Sequence, residues 1–454
     1  MNPRGKDHLL TALALTAAFA TAACSSQTEA AAAPPPTPVP VAGPLAFPGA
    51  TGHGAGARGG RGGAVMVVDS LADSGPGTLR ACLEAGQPRT CVFQVAGVIR
   101  FASPATIRHP YLTIAGQTAP GGGVTLSHEG GQSGRTPLII KNTHDVVVRH
   151  LRIRPDRPGG SRGSEDGVTV ENSENVIIDH VSVSWARDEL FNGYGDNDRI
   201  TVSNSIFAQG IPRHDKCALL ASDPVDAQRF SFIGNLCAHN GDRNPDIKFP
   251  AGSCAEVVNN VFYNAQSQFT EIWENFGGTP VSIAGNTYRV GKDTRPAALG
   301  ITRINVGSRG QAAIYLWDNR FDGDFVHVGQ EVQQATVAAP PCPLTIRAVP
   351  AAQAFENVLK TAGAHPRDDF DADIARQTAE GTGRISKEPG AIPSVSAGTP
   401  YPDTDRDGMD DRWEARHGTA AGRPDPWSDS DRDGMSNLDE FLDERHRQAL
   451  AANG

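Results

Sequence analysis

Two segments near the C terminus carry acidic residues at the spacing of a calcium-binding loop. In such a loop, oxygen ligands at alternating positions converge on one ion, a central glycine allows a sharp turn, and the last glutamate can bind through both oxygens. The predicted ligands are Asp403, Asp405, Asp407, Asp411 and Glu414 in the first loop and Asp429, Asp431, Asp433, Asn437 and Glu440 in the second. We therefore predict a module of paired calcium loops at residues 403–446, after a linker at residues 396–402. A merely acidic tail is the alternative.

Charged residues in the middle of the chain recur at similar distances after a repeating His or Asn. Asp188 lies eight residues after His180, and Asn192 lies twelve after it. The matching residues of later repeats are Lys216, twelve after Asn204, and Arg243 and Lys248, eight and thirteen after Asn235. If each repeat forms one coil, these side chains emerge on one side of three consecutive coils, within about 10 Å. Opposite charges then share one face, which suits either a binding site or a surface of weak ion pairs.

The repeat itself is a short run of β-branched residues that ends near His or Asn. Its terminal residues are spaced by 30, 24, 31, 25, 26 and 33 positions, and they are His150, His180, Asn204, Asn235, Asn260, Asn286 and Asn319. Such a period indicates a solenoid, because one unit cannot bury its own apolar face whereas stacked coils bury a continuous core. We predict an all-β parallel β-helix over residues 45–395, with the polar residues in a hydrogen-bonded column.

The amino-acid composition agrees with an all-β protein and excludes a collagen-like chain. The 454 residues include 50 glycines and 33 prolines without a collagen period. The net charge is -10, and 14 acidic residues against 5 arginines in residues 403–444 supply -9 of it. The remainder is nearly neutral, so no basic surface for nucleic acid is expected. Residues 74–84 predict a short helix that caps the first coil, and glycine-rich residues 49–63 predict a closely packed loop rather than a phosphate site.

The N-terminal residues predict export rather than a part of the fold. Positively charged residues precede an apolar run at residues 9–20 that is too short for a stop-transfer helix. The small residues before Cys24 resemble a bacterial lipoprotein signal. Residues 1–24 therefore predict a signal peptide with lipidation of Cys24 and an outer-membrane anchor, and ordinary secretion is the alternative. Residues 25–44 predict a tether rich in proline and alanine.

Six further cysteines predict disulfide bonds in an exported chain, although six cysteines allow 15 pairings. They are Cys82, Cys91, Cys217, Cys237, Cys254 and Cys342. Cys82 with Cys91 is the simplest local pair. Free buried cysteines are the alternative.

Four segments of the middle region together resemble the pectate lyase family, polysaccharide lyase family 1. They are N-V-I-I-D-H at residues 175–180, D-E-L-F-N at 188–192, H-D-K at 214–216 followed by A-L-L, and R-N-P-D-I-K at 243–248. Three residues depart from the family pattern, since Ile177 replaces Trp, Asn192 replaces Asp and Lys248 replaces Arg. With weaker matches on either side, the resemblance extends over residues 46–395.

This resemblance implies a right-handed parallel β-helix that cleaves polygalacturonate by Ca2+-dependent β-elimination. It implies that Arg243 is the base and that Lys216 and Lys248 bind substrate carboxylates. The implied calcium ligands are Asp179, Asp188, Glu189 and Asn192. Because Asn192 removes one carboxylate, we expect the ion to be recruited mainly together with substrate.

The C-terminal loops resemble those of dockerins and of thrombospondin-type calcium repeats, which leaves open whether they bind a protein partner or only stabilise the chain. The expected partners are otherwise pectic polysaccharide and, through the lipid anchor, a membrane. Two alternatives to a lyase remain. One is a β-helix glycoside hydrolase that uses Asp188 and Glu189 as paired carboxylates, and the other is a non-catalytic, calcium-stabilised glycan-binding surface protein.

Overall fold

The computed structural model describes residues 34–39, 43–128, 136–155, 165–212, 214–275 and 277–452. These residues belong to one compact unit. Cys24, the predicted signal peptide and part of the predicted tether lie outside the described residues.

Short strands of two to seven residues follow one another along most of this unit. In chain order they are β1 (Ala64–Val68), β2 (Arg89–Phe93), β3 (Gly97–Phe101), β4 (Ala105–Ile107), β5 (Leu112–Ala115), β6 (Val124–His128), β7 (Leu138–Lys141), β8 (His144–Arg149), β9 (Leu151–Ile153), β10 (Val168–Glu171), β11 (Glu174–Asp179), β12 (Ser182–Ser184), β13 (Glu189–Tyr194), β14 (Asp198–Ser203), β15 (Ile206–Ala208), β16 (Lys216–Ser222), β17 (Arg229–Ile233), β18 (Leu236–Ala238), β19 (Asp246–Ile247), β20 (Cys254–Val258), β21 (Val261–Tyr263), β22 (Gln268–Glu274), β23 (Pro280–Ala284), β24 (Thr287–Arg289), β25 (Leu299–Asn305), β26 (Ala313–Trp317), β27 (Arg320–Asp322) and β28 (Val326–Val328).

Three parallel sheets are built from these strands, and a full coil contributes one strand to each. Sheet one has the order β1-β2-β5-β8-β11-β14-β17-β20-β23-β26, sheet two β4-β7-β10-β13-β16-β19-β22-β25-β28, and sheet three β3-β6-β9-β12-β15-β18-β21-β24-β27. Equivalent residues of successive coils pair in register, as Val176 does with Ile200 and Ile178 with Val202. All four of these side chains are buried inside the coils. The structure therefore confirms the predicted parallel β-helix.

Asparagines form a hydrogen-bonded ladder in successive coils. The backbone N–H of Asn235 donates to Oδ1 of Asn260, and that of Asn260 donates to Oδ1 of Asn286, both at 2.8 Å. Burial of these amides is favourable because their polar atoms are paired. The predicted column is thus confirmed for Asn235, Asn260, Asn286 and Asn319, whereas Asn204 lies outside it and donates its side-chain amide to Asp179. His180 lies outside it, because the ladder position in the next coil is Ser205, whose N–H donates to Oδ1 of Asn235.

Helices lie outside the coils. They are α1 (Leu79–Glu84), α2 (Gln330–Gln333), α3 (Ala351–Thr361), α4 (Asp369–Glu380), α5 (Asp411–His417) and α6 (Asn437–Ala451), together with a short 3-10 turn at Gly116–Thr118. The predicted short helix corresponds to α1, which begins after Thr78, a side chain that accepts a hydrogen bond from the N–H of Ala81. Its function as a cap stays a prediction. Among the described residues, no helix combines the length and apolar composition that crossing a bilayer requires.

Helices α3 and α4 were not predicted within residues 45–395. They pack against sheet three, where Phe355 and Ile374 join a cluster that includes Leu236 and Tyr263. One apolar face on each helix suffices for this packing. These helices cover part of the outer surface of the coils.

Three disulfide bonds link the six cysteines. They join Cys82 to Cys91, Cys217 to Cys237, and Cys254 to Cys342. The local pair predicted from the sequence is confirmed, and the other two pairs connect different coils or a coil to a later segment.

The predicted calcium-loop module packs against the β-helix rather than extending from it. Its buried residues Trp413 and Phe441 belong to one cluster with Ala115 of β5. The indole N–H of Trp427 donates to the carbonyl of Gly63 at 2.7 Å. The apolar face of the module is therefore occupied by the chain itself.

Candidate active site

Sheet two brings predicted site residues of consecutive coils together. Glu189 is the first residue of β13, and it pairs across the sheet with Lys216, the first residue of β16. In the next coil Asp246 begins β19 and pairs with Glu271 of β22. Arg243 lies three residues before β19. Sheet two and the segment before β19 therefore carry acidic and basic side chains on neighbouring coils.

An acidic cluster forms where β10 and β13 begin. Carboxylate oxygens of Asp166, Asp188 and Glu189 lie within 4.8 Å of one another. Asn192 Nδ2 donates to Oδ2 of Asp166 at 2.9 Å, and Thr169 Oγ1 donates to the same oxygen at 2.7 Å. The other carboxylate oxygen of Asp166 and the side-chain oxygen of Asn192 are buried without a hydrogen-bond partner among the described residues. Two buried oxygens thus remain available to a cation.

Asp166 is a site residue that the sequence analysis missed. It lies just before β10, whose Thr169 pairs in register with Asn192 of β13. The distance from the repeating His or Asn did not reveal it, because Asp166 lies 16 residues after His150 whereas Asp188 lies eight residues after His180. The connection from β9 to β10 is longer than that from β12 to β13, and this increases the distance from the repeating residue. An acidic residue shortly before the β-branched residues 168–170 was the signal that could have found it.

Burial perturbs the carboxylates of this cluster. Burial, followed by repulsion from Asp188, raises the pKa of Glu189 to about 8. Burial also raises the pKa of Asp166 to about 6, although hydrogen bonds from Asn192 and Thr169 oppose the change. Like charges in a buried site disfavour the ionised form. A hard cation with oxygen ligands would relieve this repulsion, so these residues fit calcium.

Arg243 faces the acidic cluster from the neighbouring coils. Its guanidinium contacts the carboxylate of Glu189, and its Nε lies 3.6 Å from Oδ2 of Asp246. Burial lowers the pKa of Arg243, but the carboxylates of Glu189, Asp246 and Glu271 outweigh burial, so that the pKa is raised. The guanidinium is therefore held protonated by these carboxylates.

The two predicted lysines lie on the same side of the coils. Lys216 contacts the carboxylate of Asp242 through its ammonium group. The ammonium nitrogen of Lys248 lies 5.5 Å from the ring centre of Trp273, within the range of a cation–π contact. Both lysines are partly exposed, so an anionic ligand can reach them.

Asp179 does not belong to this site. Its Oδ1 accepts hydrogen bonds from Ser203 Oγ and Asn204 Nδ2, both at 2.9 Å. Its Oδ2 accepts from Arg149 Nε at 3.0 Å and from His180 Nδ1 at 2.7 Å. Because sheet one carries this buried carboxylate and all of its capacity is used by protein donors, the prediction that it binds calcium with the other acids is wrong.

A group of histidines adjoins Asp179 instead. The rings of His150 and His180 stack with their centres 5.2 Å apart. The backbone N–H of His365 donates to Nδ1 of His150 at 3.2 Å, so the proton of His150 is on Nε2. That nitrogen lies 2.8 Å from Nδ1 of His446 in α6. His150 is therefore neutral, and its contact with His446 holds α6 against sheet one.

Both predicted calcium loops gather carboxylates. Ligand atoms within 4.8 Å of one another are offered by Asp403, Asp405 and Asp407 in the first loop and by Asp429, Asp431 and Asp433 in the second. Glu414 of the first loop is fully buried. Burial, followed by repulsion from Asp431 and Asp433, raises the pKa of Glu440 in the second. Alternating acidic residues therefore converge in each loop.

The residues at the ninth position of each loop are turned elsewhere. Asp411 accepts hydrogen bonds from the N–H and the hydroxyl of Thr404, at 2.8 and 2.7 Å. Asn437 accepts from the N–H of Ser430 at 3.2 Å. Asp411 does not join the group formed by Asp403, Asp405 and Asp407.

The sequence of this chain is similar to those of several known proteins. A family model described as pectate lyase matches residues 48–269. A probable pectate lyase C of Aspergillus fumigatus is 36% identical over 392 residues, which are 83% of this chain and 88% of that protein. A probable pectate lyase 13 of Arabidopsis thaliana is 25% identical over 295 residues, 61% of this chain and 54% of that protein.

Solved structures share the fold. The crystal structure of Jun a 1, the major allergen from cedar pollen, aligns with a TM-score of 0.53 and 20% identity, covering 69% of this chain and 92% of that one. The thermostable pectate lyase PL 47 aligns with a TM-score of 0.51 and 15% identity, covering 71% and 98%. These alignments agree with the parallel β-helix.

Proposed function

Because this chain belongs to the pectate lyase family and is a polysaccharide lyase, we propose that it cleaves de-esterified homogalacturonan by Ca2+-dependent β-elimination. The observation that carries this proposal is the acidic cluster of Asp166, Asp188 and Glu189 beside Arg243. Membership of a lyase family favours a lyase over the two alternatives, a glycoside hydrolase and a non-catalytic binding protein.

The acidic cluster supplies the calcium ligands in this proposal. Asp166 and Asp188 provide carboxylate oxygens, and Asn192 provides its side-chain oxygen, which has no partner among the described residues. Glu189 is a further candidate. Bound calcium would neutralise the uronate carboxylate and stabilise the charge that develops when the neighbouring C5 proton leaves. Since Asn192 is neutral, we expect affinity to be low until the substrate carboxylate adds its oxygens.

Arg243 is the proposed base. It would accept the C5 proton, the C4–O bond would break, and a C4=C5 double bond would form while the leaving oxygen gains a proton. In the calcium-free protein the surrounding carboxylates raise the pKa of Arg243, although burial opposes them. A basic Arg243 therefore requires that the cluster's negative charge be balanced by other cations and that its contact with Glu189 be released.

Lys216 and Lys248 would hold substrate carboxylates. Lys216 begins β16 beside Glu189, and Lys248 follows β19 in the next coil. A polymer with one carboxylate per sugar can thus meet a positive charge on each of two coils. An ammonium binds a carboxylate as a point charge, without the fork that arginine would offer at the position of Lys248.

One assay tests the proposal. The purified protein is incubated with polygalacturonate, highly methylated pectin and rhamnogalacturonan, each with calcium or with a chelator, and the ultraviolet absorbance of the unsaturated product is followed. We expect absorbance to rise only with polygalacturonate and calcium. A rise that persists in chelator, or that is larger on methylated pectin, would reject the calcium or the substrate part of the proposal.

We also propose that the C-terminal loops bind calcium and stabilise the chain's own fold. The packing of Trp413 and Phe441 against the β-helix supports this function over docking to a protein partner. For the N terminus, we propose export with lipidation of Cys24. Mass spectrometry of the mature N-terminal peptide tests this, because a fragment beginning with unmodified chain would indicate ordinary secretion.

A further inference from the structure

A second group of carboxylates adjoins the first calcium loop. Oxygens of Asp407, Glu414 and Asp425 lie within 4.8 Å of one another. Asp407 and Glu414 are 2% and 0% exposed. Both carboxylate oxygens of Glu414 are buried without a hydrogen-bond partner in the part of the chain that the structure describes. Asp425 lies outside the twelve-residue loop pattern, between the two loops.

This group lacks the positive charge that its burial requires. Burial, followed by repulsion from Asp407 and other acids, raises the pKa of Glu414 to about 7. Arg423 is the basic side chain paired with the group, and it is exposed, with a nitrogen 3.7 Å from Oδ2 of Asp425. A buried carboxylate without donors is costly unless a cation balances it. The unpartnered oxygens of Glu414 therefore indicate a cation beside Asp425.

Asp425 also connects the two loops. Its N–H donates to Oδ2 of Asp407 at 3.1 Å. Its carbonyl oxygen and its Oδ1 accept from Nδ2 of Asn437 at 3.0 and 3.1 Å. Asn437 is the first residue of α6 and accepts from Ser430 of the second loop. A ligand at Asp425 therefore acts on both loops.

The same segment anchors the module on the β-helix. Trp427, two residues after Asp425, donates its indole N–H to the carbonyl of Gly63 at 2.7 Å. Asp439 of α6 accepts from Arg61 at 2.8 Å. Ordering Asp425 consequently restricts the segment whose indole reaches the first coils.

We propose that Asp425 is a calcium ligand contributed from outside the first loop, and that the ion it binds ties both loops to the N-terminal end of the β-helix. The inference rests on the proposed calcium binding by these loops. It adds a ligand that the loop pattern does not contain. It also makes the ion of the first loop a cross-link within the chain.

The test measures binding of terbium, a luminescent substitute for calcium that the neighbouring Trp413 can sensitise, to the full chain. All proteins carry Asp188→Asn to weaken the coil site. Asp425→Asn is the informative variant because its amide keeps an oxygen for Asn437 and removes only the charge. Glu414→Gln is the positive control. Asp443→Asn is the matched control, since that carboxylate faces Arg447 of its own helix at 3.0 Å.

We expect Asp425→Asn and Glu414→Gln each to weaken terbium binding by about tenfold or more, because ligand charge sets affinity. Hydrogen exchange of residues 425–437 in calcium should become faster in Asp425→Asn and remain unchanged in Asp443→Asn. Weakened binding in Glu414→Gln with unchanged binding in Asp425→Asn would overturn this inference alone. Unchanged binding in both variants would overturn the first proposed calcium loop as well.

Discussion

Asn192 donates its side-chain amide to one oxygen of Asp166 at 2.9 Å, while the second oxygen of Asp166 and the amide oxygen of Asn192 are buried without partners among the described residues. Asp166 lies two residues before β10, Asn192 lies within β13, the neighbouring strand of sheet two, and Asp188 and Glu189 lie beside them. The pair thus combines a fixed geometry with unused oxygens. This is the arrangement expected of a site that is completed by a cation.

Asp166→Asn should abolish most of the lyase activity, because it removes a carboxylate from the proposed calcium site. We expect the rate at limiting calcium to fall by about 100-fold, the size of effect typical for loss of a metal-site residue. The measurement is the initial rate on polygalacturonate across a calcium series. Exposed Asp324→Asn is the control. Unchanged calcium dependence in Asp166→Asn would remove Asp166 from the ligand set.

Asn192→Asp should strengthen calcium binding without substrate. The substitution adds a carboxylate and removes the amide that donates to Asp166. The calcium-free protein should therefore unfold at a lower temperature, since repulsion among buried acids increases. Calcium should raise the unfolding temperature by more than it does in the unsubstituted protein. A calcium-induced shift equal in both proteins would contradict the proposed ligand role of Asn192.

Arg243→Ala and Arg243→Lys should both lose activity while they retain the fold. Loss of a general base costs about 100-fold or more in rate, and lysine does not reproduce the guanidinium geometry. The experiment compares kcat on polygalacturonate with the thermal unfolding of each variant. If Arg243→Ala keeps kcat within a few fold, the base is another group, and Arg243 only binds substrate.

Asp179→Asn should destabilise the fold without changing the calcium dependence of activity. Asp179 accepts from buried Arg149, so removal of its charge leaves that guanidinium without its counterion. Breaking a buried ion pair in this way costs about 3–5 kcal/mol. Denaturant unfolding measures the loss in the free energy of unfolding. Activity of the folded protein across a calcium series measures the calcium dependence. A shifted calcium midpoint at unchanged stability would restore Asp179 as a ligand.

The docking of α6 should weaken as the pH falls below about 6.5. Burial, followed by repulsion from Arg149 and His180, lowers the pKa of His446 to about 2. Between these values the unfolded chain binds a proton that the folded chain does not, so each such proton costs about 1.4 kcal/mol per pH unit. The stabilisation from neutral His446 is complete above the pKa of histidine in the unfolded chain. It is lost as the pH falls towards the pKa of His446 in the folded chain. The charged and titratable groups that face His446 are His150, His180, His365, Arg149 and Asp179.

Hydrogen exchange of α6 between pH 7 and pH 4 provides the measurement. His446→Asn should reduce the pH dependence of exchange, whereas exposed His109→Asn should leave it unchanged. An identical pH profile in His446→Asn would show that another group controls the docking of this helix.

The β-helix, the asparagine ladder and the approximate positions of Lys216, Arg243 and Lys248 followed from the sequence because each depends on a repeat that is local along the chain. The residues of one coil include an apolar run, a polar residue at the corner and a strand that carries outward-facing side chains. The acidic spacing of the C-terminal loops is likewise complete within twelve residues. Such patterns require no knowledge of distant contacts.

Tertiary structure alone decided which acids meet. Connections between coils differ in length, so counting from a polar corner misses Asp166 and cannot show that sheet one carries Asp179. The contacts of Asp425 with Asn437 and of His446 with His150 join residues 12 and 296 positions apart. No local pattern encodes such pairs, because they arise only when the C-terminal module packs against coils that have already brought distant residues together.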